Sequence, residues 1–167
     1  MFAAAAKKYG IVLLAPDSAG KSWDVPAAGV NNDDVSHIAT CLLWLQQHAG
    51  NQDSKRFGIM GHSYGTRMAA ALGSQDSAYS ALMLAHGRYE PVSLGSNMLP
   101  VWFSGSVHDK YFDYTVMQAQ ARTGQPMTQG RQFVLRAFES NPNGAQHVPT
   151  PEEVDAMVSW FLAHPGA

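Results

Sequence analysis

The chain has 167 residues, of which 46% are apolar and 14% are charged. This length is that of one domain, which we place at residues 1–167, and the modest charge argues against a disordered chain. Acidic residues number 13 against 11 basic ones, giving a net charge of −2, so no basic field is available to bind nucleic acid. The single cysteine, Cys41, excludes an internal disulfide and a thiolate metal cluster. No apolar run approaches the ~18 residues that a membrane span needs.

The first residues are typical of the end of a helix. Four alanines, Ala3–Ala6, precede Lys7–Lys8, and Gly10 follows as a left-handed terminator. No capping residue precedes Phe2, so we expect the sequence to begin inside an element. The apolar run Ile11–Ala15 then predicts a strand buried on both faces of a parallel sheet, with a buried helix as the alternative for so short a run.

The middle of the chain alternates between predicted helices and strands. Asn32 caps a helix whose apolar residues recur at helical spacing as far as Ala49, and Gly50 ends it. The next elements are a strand at 56–60, a helix at 67–72 that ends at Gly73, strands at 80–85 and 101–104, a helix at 111–123 and a strand at 132–138. This order predicts an α/β fold with a mostly parallel sheet of about five strands flanked by helices.

The last predicted helix has the clearest start. Thr150 is the cap, Pro151 suits the first helical position, and Glu153 completes a capping box. An apolar stripe follows, formed by Val154, Met157, Val158, Phe161 and Leu162. This helix is expected to pack against the sheet.

The pentapeptide Gly61-His62-Ser63-Tyr64-Gly65 has the pattern G-x-S-x-G and lies between an apolar strand and an alanine-rich helix. Nucleophilic attack by a serine requires this placement, because a sharp strand-to-helix turn exposes the hydroxyl and small residues let the backbone pass closely. The Tyr64 N–H, at the start of the helix, is the candidate oxyanion donor. The alternative is an ordinary turn in which Ser63 only caps the helix.

A serine nucleophile needs a histidine base, and the base needs an acid. His147 is the candidate base, because it follows the loop at 141–146 between the last strand and the last helix, at the carboxyl edge of the sheet. His164, near the end of the chain, is expected to be solvated. His86 follows a strand, where it either lines the pocket or is simply polar. His62, the variable position before Ser63, is expected to be structural.

Three acids compete for the role of orienting the histidine. Asp109 follows the strand at 101–104 and is favoured by position, with Asp113 as second choice. Glu139 is too close in sequence to His147. The alternative for Asp109 is a helix cap. The histidines are dispersed, without H-E-x-x-H or H-x-x-E-H spacing, which argues against a zinc site.

Taken together, these features resemble an α/β-hydrolase, closest to carboxylesterases and polyhydroxybutyrate-depolymerase-like esterases. The matching segments are Tyr9–Gly10, Ala15–Asp17, Ser22–Asp24, the pentapeptide around Ser63, Pro100–Val101 leading to Asp109, and Gly144–His147. The resemblance implies a three-layer α/β-hydrolase fold and hydrolysis of an ester through an acyl-enzyme, without a metal or organic cofactor. It makes Ser63 the nucleophile, His147 the base and then the acid, and Asp109 its orienting partner.

The resemblance also concerns what surrounds the reacting residues. Trp23, His62 and His86 are the candidate substrate-binding residues, with a core position as the alternative for Trp23. The family's opening strands, and the loop that gives a second oxyanion N–H, have no counterpart here, so we expect an N-terminally truncated hydrolase. The predicted partner is a small-molecule ester. The alternatives are a catalytically silent hydrolase fold used as a scaffold, or an acyl transferase or peptidase with the same residues.

Overall fold

The computed structural model describes residues 1–25, 32–50, 56–89, 99–124, 132–138 and 147–164. The helices are α1 (Phe2–Tyr9), α2 (Asp33–His48), α3 (Gly65–Gln75), α4 (Tyr114–Gly124) and α5 (Pro151–Ala163). The strands are β1 (Phe57–His62), β2 (Tyr79–Ala85), β3 (Val101–Ser106) and β4 (Phe133–Phe138). Among these residues, no helix is both long and apolar enough to cross a membrane.

The four strands form one parallel sheet in the order β1-β2-β3-β4. Every residue of β2 and β3 is buried, so these two strands form the centre of the sheet. Because all strands run the same way, their carboxyl ends lie along one edge. The segments that begin at Ser63, His86 and Val107 leave the sheet at this edge.

Helices cover both faces of the sheet and give the three layers that the sequence predicted. On one face α3 and α4 pack against β2 and β3, and apolar residues of α2 join them. On the other face α5 packs through Met157 and Phe161. The first helix, α1, lies on α5, with Ala5 buried among Val154 and Val158.

The predicted strand at Ile11–Ala15 is wrong. These residues lie in no helix or strand, and the side chains of Val12 and Leu13 are 55% and 48% exposed. A strand is stable only when its backbone groups pair with a neighbour. In the part of the chain that the structure describes, β1 pairs with β2 alone, and no strand pairs with 11–15. The sheet therefore has four described strands rather than five.

Two of the helix ends occur where the sequence predicted them, whereas a third does not. Gly10 ends α1 with φ 65°, and Asn32 accepts a hydrogen bond from the Val35 N–H, as predicted. Gly73, however, does not end α3, which continues to Gln75. A Cβ on Gly73 would lie 3.3 Å from Ile59 and 3.4 Å from Leu99. The glycine at this position lets the helix approach the sheet closely, which outweighs its tendency to end a helix.

Candidate active site

The turn from β1 into α3 places Ser63 between the strand and the helix. Ser63 has a φ of 55°, a left-handed conformation that is uncommon outside glycine. A Cβ on Gly61 would lie 2.2 Å from the backbone oxygen of Gly65, so no other residue fits there without a shift of the backbone. At Gly65 the nearest neighbour of such a Cβ would be the Trp23 indole nitrogen, at 3.6 Å, which is an ordinary contact.

A second turn, at the end of β2, packs directly against the first. His86 is also left-handed, with φ 51°, and a Cβ on Gly87 would lie 2.3 Å from the backbone oxygen of Ser63. The Thr66 hydroxyl lies 2.7 Å from that same oxygen and 2.6 Å from the backbone oxygen of Arg88. The positions of Ser63 and His86 are therefore linked through the backbone.

Ser63, His147 and Asp109 form one hydrogen-bonded chain. The Ser63 hydroxyl lies 2.7 Å from His147 Nε2. On the other side of the ring, Nδ1 lies 2.9 Å from Asp109 Oδ2 and 3.1 Å from Oδ1. With Nδ1–H donated to the carboxylate, Nε2 is the hydrogen-bond acceptor that faces the Ser63 hydroxyl.

Asp109 is held as a carboxylate by several donors. Its Oδ1 accepts the Tyr111 and Phe112 N–H groups at 2.8 and 3.1 Å. Burial opposes ionisation, but the hydrogen bonds from His147, these two N–H groups and His86 outweigh it and lower the pKa of Asp109 below its ordinary value. Asp109 thus caps a turn and also contacts His147. Because this turn precedes the helix, α4 begins at Tyr114 rather than at 111.

Asp113, the second candidate acid, serves a different purpose. It is exposed, and its Oδ1 accepts both the N–H and the hydroxyl of Thr115 at 2.8 Å. Within the described ranges, no hydrogen bond joins it to a histidine. Glu139 and the 141–146 loop lie outside the described residues.

The predicted substrate-binding residues occupy three different environments. His62 Nε2 lies 2.5 Å from the backbone oxygen of His147. Burial lowers the pKa of His62, so the ring is neutral and donates this hydrogen bond. Trp23 packs partly buried against the core and lies beside Gly65. His86 is only 1% exposed, so its side chain is enclosed by protein and does not line an open pocket.

Two aromatic rings lie close to the His147 imidazole. The Tyr111 ring is 4.9 Å from the imidazole and 71% exposed, and the Phe112 ring is stacked on it at 5.3 Å. Tyr64, the residue after Ser63, is 41% exposed.

His164 was predicted to be solvated, but it packs against Trp160. Its Nδ1 lies 2.7 Å from the backbone oxygen of Trp160, and its ring stacks on the Trp160 indole.

Glu153 has a different role from the one that its spacing predicted. Thr150 caps α5 by accepting the Glu153 N–H at 3.2 Å, but the Glu153 side chain does not complete a capping box. It is fully buried, with Oε2 2.9 Å from His86 Nε2 and Oε1 accepting the Ser104 hydroxyl at 2.6 Å. His86 Nδ1 lies 3.0 Å from Asp109 Oδ2.

His86 is therefore enclosed between two buried carboxylates. Burial alone would lower the pKa of His86, but its hydrogen bonds and charge interactions with Glu153 and Asp109 raise it above the ordinary value. The contact between Glu153 and His86 could not be predicted from the local pattern T-P-E-E at 150–153. A glutamate that completes a capping box and one whose side chain faces the interior occur in the same sequence pattern.

His86, Asp109 and His147 each offer one atom that could bind a metal ion, and these three atoms lie within 4.8 Å of one another. These same atoms form the hydrogen bonds described above, so a bound ion would have to displace them. The absence of a metal cofactor stays a prediction from the sequence.

No family model and no curated protein matches the chain. Solved structures do match it. A thermostable esterase superposes with a TM-score of 0.64 at 15% identity, over 79% of this chain and 36% of its own. The Bacillus cereus carboxylesterase superposes with a TM-score of 0.54 at 16% identity, over 83% of this chain and 66% of its own. The Pyrococcus horikoshii acylaminoacyl peptidase superposes with a TM-score of 0.64 at 12% identity, over 80% of this chain and 28% of its own.

These similarities show the α/β-hydrolase fold, in agreement with the resemblance drawn from the sequence. The chain spans between 28% and 66% of the length of these three structures. At such low identity the comparison establishes the fold alone.

Proposed function

We propose that this chain carries the reacting residues of a serine ester hydrolase of the carboxylesterase type. Ser63 is the nucleophile, His147 the general base and then the general acid, and Asp109 the residue that orients His147. The observation that carries the proposal is the continuous contact from Asp109 through His147 to Ser63, at 2.9 and 2.7 Å. The left-handed φ of Ser63, directly before a helix, is the backbone geometry that a nucleophilic serine needs.

The reaction has two halves. Ser63 Oγ attacks the ester carbonyl carbon while His147 Nε2 takes its proton, and the negative charge on the carbonyl oxygen is stabilised by the Tyr64 N–H. The tetrahedral intermediate breaks its bond to the alcohol, which leaves with the proton from His147. Water then gives a proton to His147 and attacks the acyl-enzyme, and the acid leaves as Ser63 recovers its proton.

The donated Nδ1–H accounts for the role of Asp109. By accepting that proton, the carboxylate holds the tautomer in which Nε2 faces the hydroxyl, and it stabilises the imidazolium that forms during attack. The lowered pKa of Asp109 supports this role, because an ionised carboxylate accepts but does not donate.

The turnover rate depends on how many N–H groups hydrogen-bond to the oxyanion of the tetrahedral intermediate. Loss of one donor in such a site costs ~10²–10³ in turnover. We expect this 167-residue chain to hydrolyse esters slowly, because Tyr64 is the one donor we assign among the described residues. A silent scaffold is the competing function, and it predicts no turnover at all.

Hydrolysis of 4-nitrophenyl acetate and 4-nitrophenyl octanoate tests the proposal. We expect a burst of nitrophenol equal to the enzyme concentration if the acyl-enzyme forms, followed by slow turnover. Ser63→Ala and His147→Ala abolish both phases, whereas the exposed matched controls Ser77→Ala and His37→Ala retain them. A folded wild-type protein without burst or turnover would favour the scaffold.

A further inference from the structure

We propose that His86 is a positioning residue for the proposed reaction: it bridges the buried carboxylates of Asp109 and Glu153 and so fixes the acid that orients His147. The inference rests on the proposed function, because it assigns His86 a part in the same reaction. It begins from a contact that neither the fold nor the Ser63–His147–Asp109 chain requires.

Both ring nitrogens of His86 face a carboxylate. Nδ1 lies 3.0 Å from Asp109 Oδ2 and Nε2 lies 2.9 Å from Glu153 Oε2. The side chain of His86 is 1% exposed and both carboxylates are fully buried. A carboxylate only accepts hydrogen bonds, so with Asp109 and Glu153 both ionised, both ring nitrogens donate and His86 is an imidazolium.

This arrangement fixes the position of Asp109. Its Oδ2 receives His86 from one side and His147 from the other, at 3.0 and 2.9 Å. Its Oδ1 is held by the backbone of Tyr111 and Phe112. A carboxylate held by donors on both oxygens has little freedom to rotate away from His147, and this is the preorganisation that a catalytic hydrogen bond needs.

Glu153, on the other side of the His86 ring from Asp109, is also held in place. Glu153 lies at the start of α5, and its second oxygen accepts the Ser104 hydroxyl at 2.6 Å. The backbone N–H of His86 also donates a hydrogen bond to the backbone oxygen of Ser104 at 2.8 Å. The chain of contacts thus runs from Ser63 through His147, Asp109 and His86 to the first turn of α5.

Stability alone explains this cluster poorly. Apolar residues of similar size often stabilise a protein interior as well as buried ions do. His86 also adopts a strained left-handed conformation with φ 51°. Both costs occur at the residue that contacts Asp109, which favours a role in the site.

Four titratable side chains among the described residues face His86. Asp109 comes from the β3–α4 turn and Glu153 from α5, and the rings of His62 and His147 lie 6.0 and 6.1 Å away. Of these four, Asp109 and Glu153 hydrogen-bond to the His86 ring, so replacing His86 should act on the reaction through Asp109.

The test compares His86→Gln with wild type and with the exposed control His48→Gln, using 4-nitrophenyl acetate from pH 5 to 9. We expect kcat of His86→Gln to fall about tenfold or more with KM nearly unchanged, because the loss is one of orientation. A folded His86→Gln protein whose kcat matches that of wild type would overturn the inference.

Two further measurements keep the outcome decisive. If His86→Gln does not fold, the double variant His86→Gln/Glu153→Gln removes both charges together, and its kcat should remain at least about tenfold low. In ¹⁵N-labelled wild type, His86 should give two N–H signals at pH 7, and Glu153→Gln should lose one of them. A single His86 signal in wild type would overturn the bridge. Lack of any esterase activity would refute the proposed function but leave the two-signal test standing.

Discussion

The hydroxyl of Ser63 and Nε2 of His147 lie 2.7 Å apart although 84 positions separate them in the sequence. The end of β1 fixes the first residue, and the segment that enters α5 holds the second. His62 contributes to this contact, because its ring lies 2.5 Å from the backbone oxygen of His147. Two consecutive residues, His62 and Ser63, thus contact the backbone and the side chain of the same histidine.

The two acids near α4 should differ sharply when each is replaced. Asp109→Asn should reduce kcat by about 10³–10⁴, because an amide can donate to Nδ1 and so favour the wrong tautomer of His147. Asp113→Asn should leave kcat within about twofold, since its contacts are with Thr115 at the start of α4. Steady-state kinetics on both variants checks this. Equal losses would contradict the assignment of Asp109.

The glycines of the pentapeptide form a matched pair. Gly61→Ala should destabilise the protein by about 3 kcal/mol or more, because its Cβ would lie 2.2 Å from a backbone oxygen that cannot move aside easily. Gly65→Ala should change stability by less than about 1 kcal/mol, since the nearest contact is 3.6 Å and alanine favours a helix. Denaturant unfolding measures both values. An equally damaging Gly65→Ala would show that the turn is tighter than the structure has it.

His62 offers a test of backbone positioning. His62→Ala should lower kcat about tenfold with KM little changed, because the hydrogen bond to the His147 oxygen disappears while the reacting side chains remain. The kinetics of His62→Gln provide the control, since its amide N–H can replace the lost donor and should restore part of the rate. If KM rises in both variants and kcat stays constant, His62 contacts the substrate instead.

The His86–Glu153 contact should make stability depend on pH. The pKa of His86 is raised in the folded protein, so its contribution to stability is complete below about pH 6.5 and is lost as the pH rises through the folded value. We expect the Tm difference between wild type and Glu153→Gln to be largest near pH 6 and to shrink toward pH 9. Thermal unfolding at intervals across this range measures it. A difference independent of pH would mean that His86 is neutral.

Removal of metal ions should leave the reaction unchanged. The atoms of His86, Asp109 and His147 that could bind an ion are already joined by hydrogen bonds. Dialysis against a chelator should therefore leave the nitrophenol burst at full amplitude. Loss of the burst, with recovery on adding Zn²⁺, would replace the serine mechanism with a metal-dependent one.

Local patterns predicted much of this fold because they reflect local energetics. The terminator Gly10 and the caps Asn32 and Thr150 depend on backbone groups within a few residues, and all three occur as predicted. The requirement for glycine at position 61 is also local, since a Cβ there would lie 2.2 Å from a backbone oxygen four residues away.

Features that depend on distant partners could not be predicted in this way. The run at 11–15 has the composition of a buried strand but no described neighbour to pair with. Glu153 has the spacing of a capping box, yet a histidine 67 positions away binds its side chain. The role of Gly73 depends on how closely β1 and Leu99 approach α3. In each case tertiary contacts outweighed the local preference.

The central claim is that Ser63 becomes acylated, and a covalent probe tests it most directly. A fluorophosphonate reacts much faster with a serine whose proton a neighbouring base removes than with an ordinary serine. We predict a single adduct in the intact mass, mapped by peptide sequencing to Ser63, and absent in Ser63→Ala and His147→Ala. A folded wild-type protein that stays unmodified, or one modified at another serine, would contradict the account.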